Sequence, residues 1–129
     1  MSVKSTAVRR PVFLNLLEIR LPIPAVMSII HRATGVAMVL AIPLLVWLFE
    51  LSLRSPAGFA AAAQLFSHWP MRLLLLVALW GVSHHFLAGI RYLLIDLDMG
   101  VERAAARRSA WLVTLSAPVA ALLLWGGLL

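Results

Sequence analysis

Two adjacent histidines and an arginine interrupt an apolar stretch of this sequence: His84, His85 and Arg91 lie within the run 73–97. Ionisable side chains at membrane depth cost roughly 2.5–3.5 kcal/mol each on insertion scales unless they find a partner. An imidazole can ligate a metal, and a guanidinium can bind an anion. We therefore expect these side chains to bind a group inside the protein, and that group to indicate the function.

The helix face of His85 is the first candidate binding surface. On a helix, His85 shares one face with Gly81 on one side and with Gly89, Tyr92 and Asp96 on the other. A glycine one turn away in each direction leaves space beside the ring, where a flat macrocycle could lie with the imidazole as axial ligand of its iron. The alternative is tight helix packing through a groove of small residues, with His85 hydrogen-bonded across it.

The other two ionisable residues of this stretch leave more alternatives. His84 points about 100° away from His85, so the two cannot serve one iron, and we expect His84 to make a polar contact with a neighbouring helix or chain. Arg91 lies about 9 Å along the helix from His85. It can pair with a haem propionate, pair with Asp96 or Asp98, or extend to the membrane interface.

A second polar cluster lies earlier in the chain. Its members are spaced i, i+3, i+4 and i+7 and so share a helix face: Ser28, His31, Arg32 and Gly35. A hydroxyl, an imidazole and a guanidinium can hydrogen-bond a carbonyl ligand and supply protons to it. A quinone is such a ligand, because it partitions into lipid and takes up two protons on reduction. The alternative is a helix start whose polar groups face anionic lipid headgroups.

Composition defines the class of protein. The chain has 129 residues, of which 63% are hydrophobic and only 12% charged, and its mean hydropathy is +0.98. This composition cannot supply the polar shell of a soluble domain, so we expect an all-α integral membrane protein forming a single domain over 1–129. The absence of cysteine excludes disulfides, thiolate metal sites and thioether-linked haem. The net charge of +6 favours membrane anchoring over nucleic-acid binding, because the basic residues lie mostly at the ends of apolar runs.

Apolar runs predict where the chain crosses the membrane. Lipid requires every backbone polar group to be satisfied within the segment, so each run is expected to be a helix. Three runs have the ~20 residues that a bilayer core requires: about 28–53, 71–97 and 111–129. The segment 1–27 is expected to be a cytoplasmic N-terminal arm. Its part 9–24 is expected to be irregular or surface-lying, because Pro11, Pro22 and Pro24 break it. The stretch 55–66 is expected to form a short interfacial helix that starts near Ser55.

The distribution of basic residues predicts the orientation. They concentrate before the first run and after the second: Lys4, Arg9, Arg10 and Arg20, then Arg103, Arg107 and Arg108. The positive-inside rule therefore places the N-terminus in the cytoplasm. That orientation brings Ser28, His31 and Arg32 to the same membrane edge as Arg91 and Asp96. The first 20 residues lack an apolar core followed by a cleavage site, so we expect no signal peptide.

The two clusters together resemble one known family. RPVFLNLLEIRLPIPAVMSIIHRATGV at 10–36 and HHFLAGIRYLLID at 84–96 look like the cytochrome b subunit of succinate dehydrogenase. That subunit is the larger membrane anchor of respiratory complex II. The family patterns are Arg-Pro, a proline-broken segment and Ser-x-x-His-Arg-x-Thr/Ser-Gly, then His-x-x-x-Gly-Ile-Arg-His followed by Asp. The match and the three-span organisation extend over essentially the whole chain.

The resemblance implies roles for the residues that match the two motifs. His85 matches the axial ligand of haem b. Ser28 and Arg32 match the serine and arginine of the ubiquinone site, and Asp96 matches an aspartate close to that site.

The resemblance also places residues near the haem propionates. His31 and Arg91 match the histidine and arginine of that region. Tyr92 stands where the family often has histidine, and its phenol can still donate a hydrogen bond. The resemblance gives no role for His84.

The resemblance also implies partners. A flavoprotein subunit would oxidise succinate, and an iron–sulfur subunit would pass the electrons to ubiquinone, joining the tricarboxylic acid cycle to the respiratory chain in the bacterial inner membrane. This chain has no Gly-rich dinucleotide loop and no cysteine for clusters, so no activity is expected of it alone. Neither His31, His68 nor His84 is well placed to be the second haem ligand. We therefore expect a second small membrane anchor to supply it and to complete a helical bundle with this chain.

Two rival functions remain open at this stage. The first is a purely structural anchor or assembly subunit without a redox role. The second is a transporter or channel subunit with its intramembrane charges along a pathway. The transporter is the less favoured of the two, because it requires a continuous polar face through the bilayer. The third run offers only Thr114 and Ser116 as polar residues.

Overall fold

The computed structural model describes residues 19–128, and this part of the chain contains helices and no strand. The helices are α1 Ile23–Arg54, α2 Pro56–Ser67, α3 Trp69–Asp96 and α4 Arg103–Leu128. By length and composition, α1, α3 and α4 can each cross a membrane. The predicted all-α membrane protein with three spanning helices is confirmed.

The first spanning helix begins five residues before its predicted start. Pro22 is its extended N-cap residue, with φ −66° and ψ 151°, and Pro24 lies in the first turn. The first amide groups of a helix have no partner within the helix, so proline costs little there. The prediction of an irregular or surface-lying segment over 9–24 is therefore wrong for 23–24, and the helix also includes 25–27, which were assigned to the arm. The part of that arm before residue 19 lies outside the described residues.

The last spanning helix begins eight residues before its predicted start, at Arg103 instead of residue 111. Its first two turns contain arginines and small residues, which are good helix formers but carry no apolar signal. Hydropathy therefore detects the apolar part of this helix and misses its polar beginning. The connection before it turns at Asp98 and Gly100, whose φ angles are 58° and 74°.

The short helix α2 forms where the sequence predicts one. The Ser55 side chain accepts a hydrogen bond from the Gly58 amide at 3.0 Å, which is an N-cap interaction. A Cβ on Gly58 would collide with the carbonyl oxygen of Leu51. The sharp corner between α1 and α2 therefore requires a glycine at this position. The interfacial location of α2 stays a prediction.

Small side chains let α4 pack closely against its neighbours. Its buried alanines recur at helical spacing: Ala110, Ala117 and Ala121. Ala110 and Val113 belong to one buried cluster with Met27 of α1 and Ala88 of α3. Close approach through small residues is the usual way in which helices associate in a bilayer, where no hydrophobic effect drives them together. Packing of this kind fixes the positions of α1 and α3, which carry the polar clusters.

Candidate functional site

The two predicted clusters meet where α1 contacts α3. The rings of His31 and His85 are stacked, with their centroids 4.1 Å apart and their planes at 16°. Tyr92 lies two turns after His85 on α3, and its ring centroid is 5.2 Å from that of His31. The structure therefore brings together three ring side chains that the sequence assigned to two separate helix faces.

A backbone carbonyl of α1 favours one tautomer of the His85 ring. Its Nδ1 lies 3.1 Å from the backbone carbonyl oxygen of His31. A carbonyl oxygen only accepts hydrogen bonds, so the neutral ring must carry its proton on Nδ1. Nε2 then keeps its lone pair, and among the described residues it has no hydrogen-bond partner. Metal-bound histidines commonly hold their second ring N–H on a carbonyl in this way.

Glycine allows the close approach of the two helices. A Cβ built on Gly35 would lie 2.9 Å from Cε1 of His85, so the ring packs directly against the backbone of α1. Of the two glycines expected to leave space beside His85, Gly89 has no atom within 4 Å of a built Cβ. Gly81 instead packs against Thr34, whose Cγ2 lies 3.6 Å from a Cβ built there. The prediction of open space on both sides is therefore wrong for Gly81.

Thr34 also belongs to this site, and the sequence did not predict its contact with His85. Its hydroxyl lies 3.3 Å from Nδ1 of His85. The threonine position belongs to the Ser-x-x-His-Arg-x-Thr/Ser-Gly motif, so a signal for it was present. Helical periodicity did not identify its partner, because the periodicity of one helix does not say which residue of another helix it faces.

The residues predicted to bind a quinone lie on α1 and at the end of α3. The exposed Arg32 donates a hydrogen bond from Nε to the backbone oxygen of Ser28 at 3.3 Å. In the described part of the chain the only ion pair joins Arg54 and Glu50, so the Arg32 guanidinium is not neutralised there by a carboxylate. Asp96 is the last residue of α3 and is exposed. Its carboxylate makes no hydrogen bond with another described residue.

Within residues 19–128, Arg91 neither pairs with Asp96 or Asp98 nor extends outward, and its pairing with a haem propionate stays a prediction. Its side chain is only 7% exposed. Nε donates to the Ser109 hydroxyl at 2.9 Å, and Nη2 donates to the Ala106 carbonyl at 3.1 Å. These partners exist because α4 begins at Arg103, before its apolar part. The guanidinium carbon also lies 5.7 Å from the ring centroid of Tyr92, so Arg91 remains next to the cluster of His31, His85 and Tyr92.

Replacing Arg91 by leucine is expected to destabilise the protein by about 2 kcal/mol, because a charged donor that joins α3 to α4 is lost. The measurement is the apparent melting temperature in detergent, followed by circular dichroism. Arg72→Leu is the matched control, since Arg72 is exposed and makes one long hydrogen bond to the Phe66 carbonyl. Equal melting temperatures for the two variants would contradict a role for Arg91 in joining the helices.

His84 does not make the predicted polar contact with another described residue. It is 1% exposed, and neither of its ring nitrogens has a hydrogen-bond partner there. Its ring lies near that of Trp80, with centroids 5.9 Å apart. The side chain is buried within this chain, so it is not on a surface that a neighbouring chain contacts. His84 and His85 therefore lie in different environments, as their angular separation predicts.

The fold and the site together define a small, all-helical, multi-pass membrane protein with a histidine and arginine site built between its first and third helices. The chain belongs to the succinate dehydrogenase/fumarate reductase transmembrane subunit family, whose model matches residues 6–124. The family resemblance predicted from the two motifs is confirmed. Membership gives the chain a place in an oxidoreductase complex.

Bacterial relatives agree with this assignment. The chain is 36% identical over 101 residues to the succinate dehydrogenase cytochrome b556 subunit of Paracoccus denitrificans, with 78% of each chain covered. It is 34% identical over 107 residues to the subunit of the same name from Coxiella burnetii, with 81% of this chain and 85% of that one covered. The corresponding Rickettsia bellii subunit is 30% identical over 117 residues, with 91% of each chain covered.

Proposed function

We propose that this chain is a membrane anchor of succinate:ubiquinone oxidoreductase that binds haem b through His85 and helps to form the site of ubiquinone reduction. The observation that carries the proposal is the state of the His85 ring. Its Nδ1 is held on the His31 carbonyl at 3.1 Å, which leaves the Nε2 lone pair for iron. The names of the relatives, cytochrome b556 subunits, support haem as the bound group.

The residues present fit a haem that is shared between two chains. His85 supplies one axial nitrogen, and the open surface at Gly89 lies one turn away. The haem would supply one-electron oxidation and reduction. Arg91 and Tyr92 lie on the following turns of α3 and carry donors suited to propionates, as does His31 beside them.

The second axial ligand is proposed to come from a second small membrane anchor. The rings of His31 and His85 are stacked face to face, with centroids 4.1 Å apart, so the two side chains would not hold one iron between them. His84 is buried on another face of α3. His68 precedes α3 and lies 17 residues before His85, about 25 Å away along the helix. No other described histidine is therefore placed to complete the iron coordination.

The quinone would bind at the edge of the membrane, against α1. Arg32 is exposed and keeps guanidinium donors beyond its bond to Ser28, so it can hold a quinone oxygen as negative charge develops there. The Ser28 hydroxyl can donate a second hydrogen bond. Asp96 is an exposed carboxylate that can transfer protons to the reduced quinone. The flavoprotein and iron–sulfur subunits would supply the electrons, and the bacterial inner membrane would hold the complex.

The experiment that tests this proposal is a reduced-minus-oxidised absorbance spectrum of membranes in which the chain is co-expressed with its companion subunits. A b-type band that copurifies with the chain is the expected result. A complex that oxidises succinate and reduces quinone without such a band would contradict haem binding and favour a purely structural anchor. The matched control is the same set of subunits expressed without this chain, in which we expect no band.

A further inference from the structure

We infer that Thr34 is a positioning residue for His85, and that its hydroxyl tunes the electron donation of the imidazole to the haem iron. This inference rests on the proposed ligation of haem by His85. It adds a role for the threonine of the motif, which neither the family membership nor the names of the relatives assign.

The hydrogen bonds of Thr34 determine how its hydroxyl meets His85. The side chain is 8% exposed, and its Oγ1 lies 2.9 Å from the carbonyl oxygens of both Ile30 and His31. The hydroxyl has one proton, which one of these carbonyls must accept. Its lone pairs are then free to accept from Nδ1 of His85, 3.3 Å away. The Nδ1–H therefore points at two acceptors on α1, the His31 carbonyl and the Thr34 hydroxyl.

Both the hydroxyl and the methyl group of Thr34 make contacts. The methyl group packs against α3, with Cγ2 3.6 Å from a Cβ built on Gly81. Rotation about χ1 would remove the hydroxyl from its carbonyl acceptors and the methyl from α3 together, and β-branched side chains are stiff at this torsion. The hydroxyl is thus fixed in place when the helices pack. Gly35, the next residue, lets the ring approach closely enough to use it, since a Cβ there would lie 2.9 Å from Cε1.

The second acceptor has a consequence at the opposite nitrogen of the ring. An acceptor on Nδ1–H makes the imidazole more basic and a stronger donor at Nε2, and a stronger axial donor favours ferric over ferrous iron. Removal of the Thr34 hydroxyl should therefore stabilise ferrous haem relative to ferric haem. The His31 carbonyl remains as an acceptor, so the effect should be a shift in potential and not a loss of the site.

The test is potentiometric titration of the haem in membranes that contain the whole complex. Thr34→Val keeps the shape and removes the hydroxyl, whereas Thr34→Ser keeps the hydroxyl. We expect Thr34→Val to raise the ferrous-to-ferric ratio about threefold at a fixed potential, roughly 30 mV at 59 mV per tenfold change. Thr34→Ser should stay close to the wild type.

Thr114→Val is the matched control. Thr114 lies on α4, and its hydroxyl also donates to the carbonyl four residues earlier, that of Ala110, at 2.8 Å. It has no hydrogen bond to His85, so its replacement should leave the potential unchanged. A second readout is the low-spin ferric electron paramagnetic resonance spectrum, whose g values report the axial field and should move in Thr34→Val alone.

The outcomes separate this inference from the proposed function. A haem band in the wild type with the same potential and g values in Thr34→Val overturns the inference and leaves the proposed function standing. A wild type without haem overturns the proposed function itself. Loss of haem from an assembled Thr34→Val complex overturns the tuning role, because the His31 carbonyl should keep the site intact. Equal shifts in Thr34→Val and Thr114→Val overturn it.

Discussion

Replacing His85 by alanine is expected to abolish the b-type absorbance band of the complex. The ring is the only described histidine that combines a fixed Nδ1–H with an unengaged Nε2, and its Nδ1 lies 3.1 Å from the His31 carbonyl. If His85 holds the haem as proposed, this variant would remove the nitrogen that this chain offers to iron. The measurement is the reduced-minus-oxidised spectrum of purified complex, normalised to the amount of protein.

A more conservative variant separates ligation from packing. In His85→Asn the side-chain amide can still donate to the His31 carbonyl, as Nδ1 does in the native ring. It has no counterpart of Nε2 to offer to iron. We expect His85→Asn to lose the haem band as completely as His85→Ala does, while preserving more of the contact between α1 and α3. Full absorbance in either variant would refute ligation by His85 and support a purely structural anchor.

An exposed histidine outside this site provides the control. His68 is the exposed N-cap residue of α3, and its side chain makes no cap hydrogen bond. His68→Ala should retain the full band. Assembly is monitored separately through succinate oxidation by a soluble artificial acceptor, which does not require the membrane site. A variant that loses both the haem band and succinate oxidation has failed to assemble, and it gives no evidence on ligation.

Sequence reasoning was strongest where one chain segment carries its own signal. Apolar length predicted the three spanning helices, because a bilayer requires about 20 apolar residues for each of them. Motif spacing predicted the family, which the match over residues 6–124 confirms. The N-cap at Ser55 could also be predicted from the sequence, since a hydroxyl residue followed by proline at the first helical position is a local pattern.

Sequence reasoning failed where a side chain finds its partner on another helix. Arg91 is the clearest example, because its acceptors on α4 lie in a polar helical segment that hydropathy does not detect. The stacking of His31 on His85 likewise depends on how α1 packs on α3, which neither helix specifies alone. Gly81 looked like open space from periodicity but contacts Thr34 in the folded protein. Small residues can equally indicate a cavity or a close contact, and only the packing decides between them.

Arg32→Leu is expected to lower the rate of quinone reduction by about 10- to 100-fold, which corresponds to the loss of a charge-assisted hydrogen bond to the quinone. Among the described residues, the exposed guanidinium is held by the Ser28 carbonyl alone, at 3.3 Å, so its other donors can face a ligand. Leucine keeps an apolar side chain at this position and removes every donor. The measurement is succinate-dependent reduction of a soluble ubiquinone analogue by purified complex.

The matched measurements assign this loss to the quinone site. Succinate oxidation by an artificial soluble acceptor should be unchanged in Arg32→Leu, because that acceptor takes electrons before they reach the membrane site. Arg72→Leu, an exposed arginine in the first turn of α3, should retain both activities. Ser28→Ala should lower quinone reduction less than Arg32→Leu, since a neutral hydroxyl forms a weaker bond than a guanidinium does. If Arg32→Leu reduced quinone at the wild-type rate, the quinone would have to bind away from this face of α1.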